Sequence, residues 1–199
     1  MFPTYSVKMQ PAADVRSAEK TAIDKTVWLD EYRPACSAQL VYDTARETFI
    51  VSLSCEEANP LVRYHSFNDP VYTDSCLEWF CGFDPSDVRY INFEMNPKGA
   101  YLYGVGPDRY GRTRLEAEVM PTVQGEILDD SWSVTLLIPF KAIEAVYGKL
   151  NFTAGYKLRG NAFKCGGKAP VPHHLTWNPV QRTERDFHRP DCFGTFEIL

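Results

Sequence analysis

The chain has 199 residues, a formal net charge of −5, and hydrophobic and aromatic fractions of 44% and 14%, enough for a substantial core in one large domain or two small ones. Its charges are dispersed and include no basic block, which argues against nucleic acid or an anionic membrane as partner. No apolar run is long enough to cross a bilayer, and Met1–Gln10 lacks the charged start and hydrophobic block of a secretory signal, so a cytoplasmic location is expected.

Residues 1–25 carry weak signals and read as an irregular N-terminal segment, with Tyr5–Met9 as a candidate short strand. Thr26–Leu29 reads as a strand with Trp28 in the core, and Pro34 breaks the chain. Ser37–Asp43 and Thr48–Ser54 form a predicted hairpin across Asp43–Arg46, and Leu61–His65 is a candidate edge strand. Two alternating stretches follow. Leu77, Trp79, Cys81 and Phe83 share one face of the first, Cys76, Glu78 and Phe80 the other; Ile91, Phe93 and Met95 oppose Tyr90, Asn92, Glu94 and Asn96 in the second. Period-2 alternation predicts two strands, and Asp84–Asp87 between them reads as a turn. Paired as a hairpin, they put Glu78, Phe80, Tyr90, Asn92 and Glu94 on one surface. Rings that cover the C–H faces of a pyranose beside fixed groups that bond its hydroxyls suit a sugar. The plainer reading is the solvated outer face of a sandwich.

The turn Pro97–Gly99 leads to a strand over Ala100–Val105, then a loop or distorted hairpin from Gly104 to Arg114. Gly104-Val-Gly106 has neither a third glycine at the right spacing nor a following helix, so a nucleotide site is rejected. Arg114–Met120 and Trp132–Ile138 are further predicted strands. Pro139 ends the second of these, and Phe140–Tyr147 has helical spacing stopped by Gly148. Tyr156–Phe163 alternates with Lys157, Arg159 and Asn161 on one face; Leu175–Trp177 and Phe193–Leu199 close the chain. Many short strands, frequent turns and one short helix predict an all-β fold: an antiparallel β-sandwich of immunoglobulin or jelly-roll type, built as one domain over residues 1–199.

The six cysteines lie mostly inside apolar strand patterns and are expected as free thiols. Asn151-Phe-Thr153 fits a glycosylation sequon that has meaning only in a secreted chain. His173-His174 with Cys165 match no zinc spacing, and both histidines read as surface residues.

In order along the chain, Tyr72, Asp74–Phe80, Tyr90–Asn96, Gly99, Ile138–Phe140, Gly155, Asn161, Thr176–Trp177 and Phe187–Gly194 resemble the family 9 carbohydrate-binding modules, most closely the bacterial "carbohydrate-binding family 9-like" branch. The resemblance runs from about Trp28 to Leu199. It implies a β-sandwich related to the DOMON group, and sugar binding without hydrolysis. In the characterised modules two tryptophans clamp the end of a sugar chain. Tyr72 and Phe187 fall at those positions here, so both are aromatic and neither is Trp. Glu78 matches a carboxylate that bonds sugar hydroxyls, Asn92 sits near a basic hydrogen-bonding position, and Glu94 is typical of the branch. A Phe offers neither the area nor the N–H of an indole. Calcium is bound in the family, but no compact run of acidic ligands anchors it here, so no metal or other cofactor is assigned.

The candidate sugar site is therefore Tyr72 and Phe187 as stacking surfaces, with Glu78, Asn92, Glu94, Arg159 and His188 as polar partners of a mono- or oligosaccharide. Glu78 could instead pair with Arg89 or Arg159, and His188 could cap its own loop. Two alternatives belong to other classes. A structural or interaction domain would have kept the fold and lost the sugar site, and a glycosidase would use Glu78 and Glu94 as its carboxylates. A haem site would need a Met or His pair facing one cavity, whereas Met95 points to the core.

Overall fold

The computed structural model describes residues 2–26, 28 and 30–199. Its strands are β1 (Thr4–Gln10), β2 (Thr21–Ala22), β3 (Cys36–Asp43), β4 (Thr48–Cys55), β5 (Cys76–Gly82), β6 (Tyr90–Met95), β7 (Tyr101–Gly106), β8 (Thr113–Arg114), β9 (Thr122–Ile127), β10 (Trp132–Pro139), β11 (Lys157–Cys165), β12 (His174–Thr176) and β13 (Gly194–Ile198), with one helix, α1 (Phe140–Tyr147). Pairing runs β8-β7-β6-β5-β11-β13-β1-β3-β4-β10-β9, with β12 beside β11 and β2 beside β3. The path curls into two facing layers, as expected of an all-β sandwich.

β1 joins the layers. Thr4–Val7 pairs with Thr195–Ile198 of β13, and Lys8–Gln10 pairs with Val41–Asp43 of β3. Both pairings are parallel, so the sheet is not antiparallel throughout as expected. Parallel neighbours need long connections, and β1 pairs with β3 and with the last strand, β13. The N-terminal segment is correspondingly ordered rather than irregular: Val7 is fully buried, and the Tyr5 hydroxyl accepts from Leu40 N at 3.1 Å.

The alternation sorts the core. Leu77, Trp79, Cys81, Ile91, Phe93 and Met95 face inward against Leu40, Phe49, Val51, Leu53, Trp132, Val134, Leu136 and Ile138. Full burial of each such side chain contributes about 1.5–3 kcal/mol. The hairpin β3–β4 pairs Asp43 with Thr48, and the Asp43 carboxylate accepts from Ala45 and Arg46 N–H in its turn. The helix ends at Gly148, whose φ of 74° strains any residue with a Cβ.

Three strand expectations change, and one strand, β9, appears where none was expected. Leu61–His65 is not a strand, because the N–H groups of Arg63 and Tyr64 turn to the Asp74 carboxylate at 3.1 and 3.2 Å. Of the expected Arg114–Met120 strand only Arg114 lies in a strand, β8, which begins one residue earlier at Thr113 and pairs with β7. β9 carried no apolar face, being almost wholly exposed, and is set by pairing with β10. In the expected strand at Thr26–Leu29, Val27 and Leu29 lie outside the described residues, while Thr26 and Trp28 join no strand.

β11 holds an exception to the apolar interior. Lys164 lies on its inward face, fully buried, with Nζ 3.3 Å from Glu57 Oε2. Its ammonium donates to His173 Nε2 (2.8 Å) and to the Cys165 carbonyl (3.1 Å). His173 donates from Nδ1 to the Val171 carbonyl (2.8 Å), which leaves Nε2 free to accept. Glu57 also accepts from Trp132 Nε1 and Ser75 Oγ, each at 2.9 Å. The two histidines expected at the surface are thus both buried. All six cysteines are free thiols, and Cys36 and Cys55 face each other across β3–β4 with sulfurs 3.1 Å apart. Lys164→Met strands the Glu57 carboxylate in the core. It is expected to cost about 3–5 kcal/mol, read as a lowered urea midpoint at unchanged slope.

Candidate functional site

The outer face of β5, β6 and β11 is not solvated. Every residue of β5 and β6 is buried. Over one end of this face, Trp28, Val180, Phe187, Cys192 and Phe193 pack on Phe80, Tyr90 and Phe163. Over the other, Val71 packs on Cys76, Ala100 and Leu102. Between the two covers lies a cavity of about 410 Å³ whose lining includes Tyr72, Glu78, Asn92, Glu94, Phe187 and His188.

Six of the seven residues expected at the site therefore meet at one cavity. Arg159 does not. It sits opposite Gly82, whereas Phe163 of the same strand sits opposite Glu78. Four residues of strand put Arg159 about 13 Å away, with Asn161 held between by Asn178. Arg89 is taken by Asp87 at 2.6 Å, so neither cation suggested for Glu78 reaches it. Trp177 is core: it stacks on Phe196 at 4.9 Å.

The floor is a carboxylate pair. Glu78 and Glu94 are direct cross-strand partners on β5 and β6. Neither pairs with Lys or Arg among the described residues. Glu94 Oε1 accepts from Asn92 Nδ2 at 2.8 Å, while its Oε2 is buried without a partner among the described residues. Burial and the neighbouring Glu94 hold the Glu78 carboxyl well above the carboxylate range. Burial pushes Glu94 up to about 7, against the pull of the Asn92 hydrogen bond and nearby arginines.

The aromatic positions differ in kind. Tyr72 is half-exposed at 47%, and follows from a single 3-10 turn at Val71–Thr73. Phe187 lies flat on Phe163, with centroids 4.4 Å apart and planes at 15°, so one ring face is already covered. His188 stacks on Phe80 (4.9 Å), its Nδ1 bonds the Tyr90 hydroxyl (2.9 Å), and its Nε2 is 3.9 Å from Glu94. Burial and then Arg112 hold it down at about 3, hence neutral.

The sequence reading missed the basic wall: Arg109, Arg112 and Arg114 line the same cavity. They sit on the loop after β7 and on β8, a segment with no periodic signal. Arg112 donates to Asn92 Oδ1 and lies over the Tyr90 ring at 4.5 Å. Asn92 thus uses both ends of its amide to position Arg112 and Glu94. Gly104, once considered as part of a phosphate loop, makes room for it, since a Cβ there would lie 2.8 Å from Asn92 Oδ1. His174, Arg185 and Asp186 complete the opposite wall, with Arg185 bound to Asp30 at 2.7 Å.

Glu94 ionises at higher pH in the folded chain than its ordinary 4.5, so the folded state holds extra proton. That contribution is complete below the ordinary value and is lost as pH rises through about 7. The stability of the wild type relative to Glu94→Gln is therefore expected to fall between about pH 5 and about pH 8; chemical denaturation across that range checks it, and a flat difference would contradict it.

A sequence profile described as carbohydrate-binding family 9 matches residues 8–198. A candidate carbohydrate-binding protein from Bacteroides uniformis is 25% identical, superposes with a TM-score of 0.86, and is covered fully, as is this chain. A family 9 module from Caldicellulosiruptor kristjanssonii in complex with cellotriose has a TM-score of 0.61 at 11% identity, covering 97% of this chain and 93% of that one. The same organism's module in complex with glucose gives 0.58 at 11% identity, covering 98% and 95%. Those two likenesses establish the fold alone. No protein of curated function matches the chain. With the profile spanning nearly its whole length, this chain belongs to carbohydrate-binding family 9.

Proposed function

We propose that the chain binds a mono- or oligosaccharide without cleaving it, in the cavity above β5 and β6. One observation carries this reading. Tyr72, Glu78, Asn92, Glu94, Phe187 and His188, drawn from four separate stretches of sequence, line one open cavity of about 410 Å³, within the volume range of small-ligand sites. Tyr72 offers a ring to the apolar face of a pyranose. Glu78 and Glu94 offer acceptors, and the proton held between them adds a donor, so a vicinal pair of hydroxyls meets both polarities. Neighbours of the same fold that bind cellotriose and glucose support a saccharide as ligand.

A hydrolase is the second reading, favoured by the opposed carboxylates and the raised Glu94. The geometry tells against it. In glycosidases the acid and its partner carboxylate flank the scissile bond, whereas Glu78 and Glu94 rise side by side from one sheet face. They reach a ligand from the same side.

Titration calorimetry with glucose, galactose and cellotriose tests the proposal, with dissociation constants expected at about micromolar to millimolar. Glu78→Gln and Tyr72→Ala are each expected to weaken binding about tenfold. Absence of heat with every sugar would overturn it. Release of nitrophenol from nitrophenyl glycosides, abolished in Glu94→Gln, would replace it with the hydrolase.

A further inference from the structure

The charged groups at the cavity divide into those already answered and those left over. Asp186 receives Arg109 at 3.6 Å and His188 N–H at 3.0 Å. Arg185 and His174 both engage Asp30, at 2.7 and 3.0 Å. Four lining residues remain without an ion pair to Lys, Arg, Asp or Glu among the described residues: Glu78 and Glu94 on the floor, Arg112 and Arg114 on the wall. Among the described residues no nitrogen of either arginine makes a salt bridge to either carboxylate, so the two pairs attract only through space.

The arginines are held in place. Arg112 is fixed by Asn92, by the Tyr90 ring and by the Asp108 carbonyl at 3.3 Å. Arg114 donates from Nη1 to the Asn68 carbonyl at 2.8 Å. Its Nε and Nη2 make no hydrogen bond among the described residues. Nε and Nη2 form one edge of the guanidinium fork, the edge that takes a carboxylate by two parallel hydrogen bonds. On the floor, carboxylates placed directly across two strands with no cation between them cannot both be ionised without repulsion. They therefore present less than their full negative charge, and the cavity as a whole is net positive.

Resting on the sugar-binding reading above, we infer that the ligand is an acidic sugar, a uronate, whose carboxylate is taken by the free edge of Arg114 with Arg112 beside it while its hydroxyls meet Glu78 and Glu94. A neutral hexose would leave both guanidiniums unanswered. An amino sugar would put its ammonium against two cations to reach the floor.

Calorimetry with matched pairs, glucose against glucuronate and galactose against galacturonate, tests this beside glucosamine. Each uronate is expected to bind about tenfold tighter than its neutral parent at low ionic strength, with the advantage shrinking as salt is raised. Arg114→Gln, a change at an exposed side chain, is expected to bring the uronate-to-parent ratio to about one, with Arg114→Lys restoring part of it. Arg16→Gln, on the far layer and 86% exposed, is the charge control and should leave the ratio as it is. Equal or tighter binding of the neutral sugars, or tightest binding of glucosamine, overturns the inference and leaves the sugar-binding reading standing. No binding of any sugar overturns both. A uronate preference that survives in Arg114→Gln overturns the assignment to this arginine.

Discussion

Two carboxylates side by side on a buried sheet face are the constraint around which the rest is arranged. Glu78 and Glu94 are register partners on β5 and β6, so they cannot move apart without breaking the ladder. Burial raises the proton affinity of both, and the neighbouring Glu94 raises that of Glu78 further. The structure does not answer them with a lysine or arginine. It answers with Asn92, a neutral histidine at position 188, and an opening to solvent. The second oxygen of Glu94 has no hydrogen-bond partner among the described residues.

A second buried polar cluster shows that this is a choice rather than a consequence of the fold. Inside the sandwich, Glu57 is met by Lys164, Trp132 and Ser75, and Lys164 in turn by His173 and Cys165. Every polar atom there is answered within the chain, as interior packing requires. The same sheet therefore carries a closed network on one face and an open one on the other. The first network is closed within the chain, and the second faces a cavity with one carboxylate oxygen unanswered among the described residues.

The covering of the outer face is what turns a strand pattern into a site. Residues 178–193 return over β5, β6 and β11 and anchor through Phe187 on Phe163 and His188 on Phe80. Because Phe187 spends one ring face on that anchor, it serves as wall and lid support at once. Tyr72 keeps its ring exposed. Family 9 membership sits with this arrangement. On the sugar-binding proposal, Tyr72 and Phe187 offer less stacking area than paired indoles would, and the arginine wall adds charge.

The sequence by itself determined the layers. Period-2 alternation in Cys76–Gly82, Tyr90–Met95 and Trp132–Pro139 assigned the residues of each strand to two faces, and Pro139 and Gly148 bounded the helix, because these signals are local. It also pointed to Glu78, Asn92 and Glu94 as one surface, since the turn at Asp84–Asp87 sets their register. Only the tertiary structure decided the rest. Parallel pairing of β1, inward burial of Lys164 and the path of residues 178–193 depend on contacts between distant segments, which leave no periodic trace. For the same reason Arg159 looked equivalent to Asn161 by parity, yet lies about 13 Å down the strand from Glu78, while Arg112, in a predicted loop, and Arg114, at the start of a predicted strand, reach the cavity. Alternation tells which face a side chain takes; how far along that face it lies, and what folds over it, is settled by packing.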